Sequence, residues 1–233
     1  MANFWSEKRA KSRDAQAQSA APEVQPHDGS ETHFAHAAAL KLRRAKLVCQ
    51  SGEYLCLIRD VSEIGVGLGF LHEVPPEPRI LLQLSNDLTY PIERVWTGQR
   101  QAGYRFANGI SLNEFIREQS PFPNRPVRLH FSGPVRIQDR SRVQDARLLD
   151  LSCEGAKLAA PVQPEIGRLI TFELSGMEPQ LAQVRWVEEG KFGVRFHHPL
   201  ETEELARAAL HHQPFDERRP SGFTRLLAKA RAA

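Results

Sequence analysis

The sequence predicts an all-β fold of two tandem six-stranded barrels, each followed by a short α-helix. Three observations lead to this prediction. Short apolar runs recur about every ten residues and are bounded by Gly, Pro, Asn, Asp or Ser. The whole pattern then repeats once, 90 residues later. Each half ends in a segment whose apolar residues follow helical spacing.

The first half supplies the strand pattern most clearly. The predicted strands cover residues 40–48, 54–58, 66–70, 80–84, 90–96 and 103–106. Turn signals such as Ser51-Gly52 and Pro75-Pro76 separate these runs. Six short strands at this even spacing are typical of a small barrel.

The second half repeats the first at a constant offset. The matched positions include Trp96 with Trp186, Gly103 with Gly193, Arg105 with Arg195, Phe106 with Phe196, Leu84 with Leu174, and Ile58 with Leu148. A shared offset over four separate strands is not expected by chance. It therefore indicates an internal duplication.

Two helices and two tails complete the predicted organisation. Ser111-x-x-Glu114 is a helix-start pattern, and Pro121 ends that helix; a second helix is predicted from about residue 201 to 212. The predicted domains are a disordered tail (1–36), a barrel (37–120), a second barrel (121–212) and a basic tail (213–233).

Composition excludes several classes of function. No run of eighteen apolar residues exists, so no membrane span is predicted. Three cysteines without a C-x-x-C pair favour the reducing cytoplasm, and no catalytic or metal-binding motif is present. The five basic and two acidic residues of 213–233 carry the whole formal charge of +3, so the body is near neutral. Nucleic-acid binding, which needs a basic face, is therefore not predicted.

One polar turn carries the candidate chemistry. It reads Asp150-Leu-Ser152-Cys-Glu-Gly155 and recurs as Asp60-Val-Ser62-Glu-Ile-Gly65. Only the later copy follows an arginine pair that precedes its first predicted strand: Arg125 and Arg128 stand 25 and 22 residues before Asp150. Arg43 and Arg44 stand only 17 and 16 residues before Asp60, inside the first predicted strand. Arginine offers a planar fork of donors for a guanine edge or a phosphate, and a carboxylate accepts from guanine N–H groups. A glycine at the end of the turn permits close backbone approach or a positive φ.

These residues resemble the signature of the PilZ domain family: an Arg-x-x-x-Arg cluster before the first strand and a (Asp/Asn)-x-Ser-x-x-Gly turn after the second. Both turns match in full. The resemblance implies six-stranded barrels and, as ligand, the bacterial second messenger cyclic di-GMP. It implies that the ligand-binding residues are Arg125, Arg128, Asp150, Ser152 and Gly155, with no cofactor.

The arginine cluster departs from the family pattern. Arg125-Pro-Val-Arg128 has two intervening residues where the family has three, and Ala35 and Ala38 stand at the corresponding places of the first repeat. The first barrel is therefore expected not to bind the dinucleotide. Because it keeps the turn without arginines at these two positions, Asp and Ser also have a purely structural interpretation, in which they bond the turn's backbone.

The expected function is that of a cytoplasmic, non-enzymatic signalling protein. Cyclic di-GMP would bind the second barrel and order the segment between the barrels, while the first barrel or the tails would bind a protein partner. The alternative is a scaffold of two PilZ-like barrels that binds no dinucleotide and acts only through protein–protein contacts.

Overall fold

The computed structural model describes residues 38–117, 126–140 and 142–215. The predicted N-terminal tail and residues 216–233 lie outside the described residues. The described chain forms two closed six-stranded antiparallel barrels, each followed by a short helix, which confirms the predicted fold class. None of the described helices is both long and apolar enough to cross a membrane.

The two barrels have the same strand order. The first contains β1 (Ala38–Val48), β2 (Glu53–Val61), β3 (Gly65–Gly69), β4 (Arg79–Gln83), β5 (Thr89–Gly98) and β6 (Gln101–Phe106). The second contains β7 (Gly133–Asp139), β8 (Arg142–Ser152), β9 (Gly155–Ala159), β10 (Leu169–Leu174), β11 (Gln180–Glu188) and β12 (Lys191–Phe196). The first closes in the order β1-β2-β3-β6-β5-β4 and the second as β7-β8-β9-β12-β11-β10.

The duplication extends to register and irregularities. Trp96 is paired with Gly103 and Trp186 with Gly193, and each pair follows a bulge in β5 or β11. A Cβ added to either glycine would overlap the indole of its partner. Each tryptophan therefore lies flat on a glycine of the neighbouring strand, which explains why this Trp–Gly combination occurs in both repeats.

The two helices pack differently. Helix α1 (Leu112–Arg117) begins one residue after Ser111 and buries Phe115 against Tyr90 and Phe106 of the first barrel. Helix α2 (Thr202–His212) buries its apolar face, which includes Leu205, in the core of the second barrel. The end of α2 reaches the first barrel, whose core is also contacted by Leu210 and Phe215. Helix α2 therefore connects the two cores.

Gln213, just after α2, clamps the start of β2. Its side-chain oxygen accepts from the backbone N–H of Glu53 (3.0 Å), and its amide nitrogen donates to the carbonyl of Glu53 (2.9 Å). The Tyr54 hydroxyl donates to the carbonyl of Gln213 (2.8 Å). In addition, Leu55 of β2 is buried within the core cluster of the second barrel. The barrels consequently share a packed interface.

A charge cluster lies at the same interface. One oxygen of the Glu53 carboxylate is 3.0 Å from the Lys46 ammonium and 3.1 Å from Nδ1 of His130, and it accepts the His130 backbone N–H at 2.7 Å. The side chains of Lys46 and Glu53 are only 7% and 14% exposed. Residues of both barrels therefore converge on a single carboxylate.

This carboxylate predicts a pH dependence of stability. Burial raises the pKa of Glu53, but the hydrogen bonds of His130 and the Lys46 charge outweigh burial and lower the pKa below its ordinary 4.5. Since the folded carboxylate binds its proton more weakly than the unfolded one, its stabilisation is complete above pH 4.5 and is lost as pH falls through the lowered pKa. We expect urea denaturation to show wild type losing more stability than Glu53→Gln between about pH 5 and pH 3. Parallel pH profiles for the two proteins would contradict this assignment.

Candidate functional site

The polar turn joins β8 to β9 and is closed by its own serine. The Ser152 hydroxyl donates to the carbonyl of Gly155 (3.1 Å), and the Ser152 side chain is fully buried. In the first barrel Ser62 contacts Gly65 in the same way: the Ser62 hydroxyl lies 3.3 Å from the Gly65 carbonyl and accepts the Gly65 N–H at 3.1 Å. The serine therefore has a structural use in both barrels, as the alternative interpretation of the turn requires.

Gly155 is required by a close approach of two strands. It pairs with Arg195 of β12, and a Cβ added to it would overlap the carbonyl oxygen of Val194. The φ angle of Gly155 is not positive, so the close approach of the strands, rather than backbone conformation, is the reason for glycine here. At the equivalent Gly65 an added Cβ would lie 3.0 Å from the carbonyl oxygen of Tyr104, a milder restriction.

Arg128 and Asp150 are brought together by pairing of the chain before β7 with β8. Leu129 and Leu151 exchange two backbone hydrogen bonds of 2.8 and 2.9 Å, which places the preceding arginine beside the carboxylate. Arg128 Nη1 donates to Asp150 Oδ1 at 2.9 Å. The Asp150 side chain is 9% exposed and that of Arg128 is 37% exposed, so further donors of the guanidinium remain accessible to a ligand. Arg125 lies outside the described residues.

This pair lies at the wall of a cavity of about 390 Å³. Four cationic side chains line it, together with two carboxylates and an indole: Arg128, Lys157, Arg185, Arg195, Asp150, Glu154 and Trp186. The Lys157 ammonium lies 5.5 Å from the centre of the Trp186 ring. Among the residues that the structure describes, Lys157, Arg185 and Arg195 form no ion pair. The wall therefore carries two more positive than negative groups.

A second cavity of about 400 Å³ lies on the same face of the barrel. It shares Glu154, Arg185 and Arg195 with the first and adds apolar lining from Leu169 and Phe196. The two spaces together extend over β9, β12 and β11, so the accessible region is larger than the turn and its arginine alone.

The equivalent face of the first barrel has lost this charge. At the positions of Lys157, Arg185 and Glu154 stand Gly67, Val95 and Ile64. The side chains of Ile64 and Val95 are 58% and 65% exposed.

The remaining polar groups of the first barrel are also arranged differently. Asp60 occupies the space over Gly67, where an added Cβ would overlap its carboxylate. Arg105, the counterpart of Arg195, faces the carboxylate of Glu93 at 3.6 Å. The first repeat thus keeps the turn but not the cationic surroundings.

Sequence reasoning identified Arg195 only as the repeat counterpart of Arg105, and Arg195 lines both cavities. It missed Lys157, Arg185 and Trp186. The signal for the first two was present in the repeat, because cations in the second half replace Gly67 and Val95 in the first. Within the described part of the chain, no cluster of three or more His, Cys, Asp or Glu residues is arranged to hold a metal ion.

Comparison with solved structures returns proteins of low sequence identity. The chain is similar to the Borreliella burgdorferi PlzA protein in complex with c-di-GMP, at 13% identity over 72% of this chain and 87% of that chain, with a TM-score of 0.31. It is similar to the Bacillus subtilis inhibitor of motility MotI/DgrA, at 10% identity over 77% and 100%, with a TM-score of 0.33. It is also similar to YcgR in complex with c-di-GMP from Escherichia coli, at 14% identity over 81% and 85%, with a TM-score of 0.29.

All three TM-scores are below 0.5. No curated protein matches the chain. A family model gives the sharper result, because residues 124–212 match the model described as PilZ domain. That range runs from just before Arg128 to the end of α2 and contains the complete second barrel. The second barrel of this protein is therefore a PilZ domain.

Proposed function

We propose that this protein is a non-enzymatic cytoplasmic signalling adaptor that binds cyclic di-GMP at its second barrel. The observation that carries the proposal is the Arg128–Asp150 pair at the wall of a cavity lined by three further cations. Cyclic di-GMP is a dianion with two guanine edges. An excess of two positive groups matches its charge, and the arginine and carboxylate match the donors and acceptors of guanine.

The first barrel supports the assignment as an internal comparison. It has the same strand order and the same turn, yet Gly67 and Val95 replace two of the cations. If the turn alone determined binding, both barrels would be receptors. Because an anionic ligand needs compensating charge when it leaves water, the proposal assigns binding to the second barrel only.

Transmission is proposed to occur by ordering of the segment 119–128, which joins the barrels. Arg125 and Arg128 lie at its end, so capture of one dianion by both would fix that segment against the second barrel. A protein partner would then bind the first barrel or the tails in this fixed arrangement. The expected signature is reduced hydrogen exchange over 119–128 when ligand is added; equal exchange with and without ligand would contradict this step.

The test is a calorimetric titration with cyclic di-GMP of the wild type and two matched variants. Asp150→Ala removes the candidate guanine acceptor, whereas Asp60→Ala removes its counterpart in the first barrel. We expect binding heat for the wild type and Asp60→Ala, and a loss of about tenfold or more in affinity for Asp150→Ala. Equal effects of the two substitutions would contradict assignment to the second barrel. Cyclic di-AMP serves as the control ligand without guanine edges.

A ligand-free scaffold is the second candidate function. It is favoured by the arginine spacing, because Arg125-Pro-Val-Arg128 is one residue shorter than the family pattern. It is also favoured by the exposed Ile64, Val95 and Trp96 on the first barrel. Absence of binding heat at about tens of micromolar protein, with the wild type folded, would select the scaffold.

A further inference from the structure

The first barrel contacts the candidate ligand site of the second from two sides. Arg44 of β1 donates from Nη1 to the sulfur of Cys153, within the turn between Ser152 and Gly155, at 3.2 Å. Two residues further along β1, Lys46 contacts the Glu53–His130 cluster. His130 itself lies two residues after Arg128. One strand of the first barrel therefore contacts both the turn and residues 128–130, the segment that begins with Arg128.

The connection from Glu53 to Arg128 is short. The Glu53 carboxylate accepts the backbone N–H of His130 at 2.7 Å, and Leu129 is paired with Leu151 by two hydrogen bonds. Arg128 immediately precedes Leu129, and its Nη1 donates a hydrogen bond to Asp150 Oδ1. Because each peptide unit is planar, fixing two successive residues strongly limits where the preceding Cα can lie. A carboxylate of the other barrel therefore helps to hold the backbone from which the Arg128 side chain reaches Asp150.

Glu53 is itself held from a third direction. Its backbone N–H and carbonyl are both bonded to the Gln213 side chain after α2, so the residue that holds His130 has little freedom. A buried ion pair such as Lys46–Glu53 seldom contributes net stability, because desolvation offsets the Coulombic attraction. Its presence therefore suggests a role in fixing geometry.

The repeat indicates that this role is not barrel construction. At the position of Glu53 the second barrel has Val143, which is 53% exposed, and at the position of Lys46 it has the exposed Arg136. The second barrel closes with the same strand order without a buried pair at this place. The cluster is thus specific to the contact between the barrels.

We propose that Glu53 is a positioning residue for the second barrel: through His130 it holds Arg128 against Asp150 and so sets the affinity of that barrel for the dinucleotide. The expected effect on dinucleotide affinity rests on the proposed function, whereas the expected effect on the position of residues 128–130 does not. The first barrel is then a component of the binding site although it binds no dinucleotide.

Hydrogen exchange of the ligand-free protein tests the positioning itself. Glu53→Gln keeps the size of the side chain and removes its charge, and Glu93→Gln is the matched control, since Glu93 forms exposed ion pairs on the same barrel. We expect exchange of the Leu129 and Leu151 amides to accelerate about tenfold in Glu53→Gln and to stay unchanged in Glu93→Gln, with the β10–β11 amides unaffected. Unchanged protection of Leu129 and Leu151 would overturn the proposal.

Calorimetric titration tests the consequence for binding. We expect Glu53→Gln to raise the Kd for cyclic di-GMP about tenfold and His130→Ala to raise it less, with the double variant no weaker than Glu53→Gln alone, because both act through one contact. Additive losses would show that Glu53 acts elsewhere and would overturn the proposal. If Glu53→Gln does not fold, His130→Ala is measured alone in both experiments. If the wild type shows no binding, the proposed function fails, and the exchange data still decide whether Glu53 positions Arg128.

Discussion

Replacing Arg128 by alanine is expected to weaken cyclic di-GMP binding by about 10- to 100-fold, the equivalent of roughly 1–3 kcal/mol for one bidentate contact to guanine. The substitution removes the only described cation that pairs with Asp150. It therefore also leaves a carboxylate with 9% exposure without its partner. Isothermal titration of wild type and variant gives the two dissociation constants directly.

Two further variants make this result specific. Arg128→Lys keeps the charge but not the planar fork, so an affinity close to that of alanine would identify fork geometry as the requirement. Arg105→Ala removes an exposed arginine of the first barrel that faces Glu93, and it is expected to leave the affinity unchanged. An Arg128→Ala protein that binds as tightly as wild type would remove Arg128 from the site.

Replacing Gly155 by alanine is expected to destabilise the protein by about 3 kcal/mol, the upper part of the range for overpacking a filled interior. The added methyl group would overlap the carbonyl oxygen of Val194, which belongs to a paired strand and cannot rotate away. The affected ladder, β9–β12, also supplies Lys157 and Arg195 to the cavity. Urea denaturation followed by tryptophan fluorescence measures the change in the free energy of unfolding.

Gly65→Ala is the matched control for this substitution. It occupies the same turn of the first barrel, but its added methyl group would lie 3.0 Å from the nearest carbonyl oxygen, which a small shift relieves. We expect a loss of about 1 kcal/mol or less. Equal losses at the two glycines would mean that the turn, rather than the close approach of β9 and β12, determines the requirement for glycine.

Much of the fold was predictable because its signals are local and occur twice. Alternating apolar runs predict the strands, and Trp96 with Gly103 recurs as Trp186 with Gly193 because the same indole-on-glycine packing is needed in each barrel. The Asp-x-Ser-x-x-Gly turn was equally visible. Its serine bonds the turn's own backbone in both copies. The motif therefore predicts the turn structure but does not by itself predict a ligand site.

The cavity and the interface were not predictable in the same way. Lys157 faces Asp150 across the β8–β9 hairpin, but Arg185 lies on β11, which is a neighbour of neither β8 nor β9 in the strand order and reaches the site only in the folded barrel. Glu53 and His130 are 77 residues apart, and neither has a counterpart of the same type in the other repeat, so no internal comparison could pair them. Arg125 remains a prediction from the sequence.

The position of Leu55 has a practical consequence for dissecting this protein. Although it belongs to a strand of the first barrel, it is fully buried and is part of the apolar core cluster of the second. A fragment trimmed to 124–212 would lack both Leu55 and Gln213, and the apolar side chains of the second barrel that pack on Leu55 would be exposed to solvent. We therefore expect an excised second barrel to be less stable than the same barrel in the intact protein, so that binding is best measured on the intact chain.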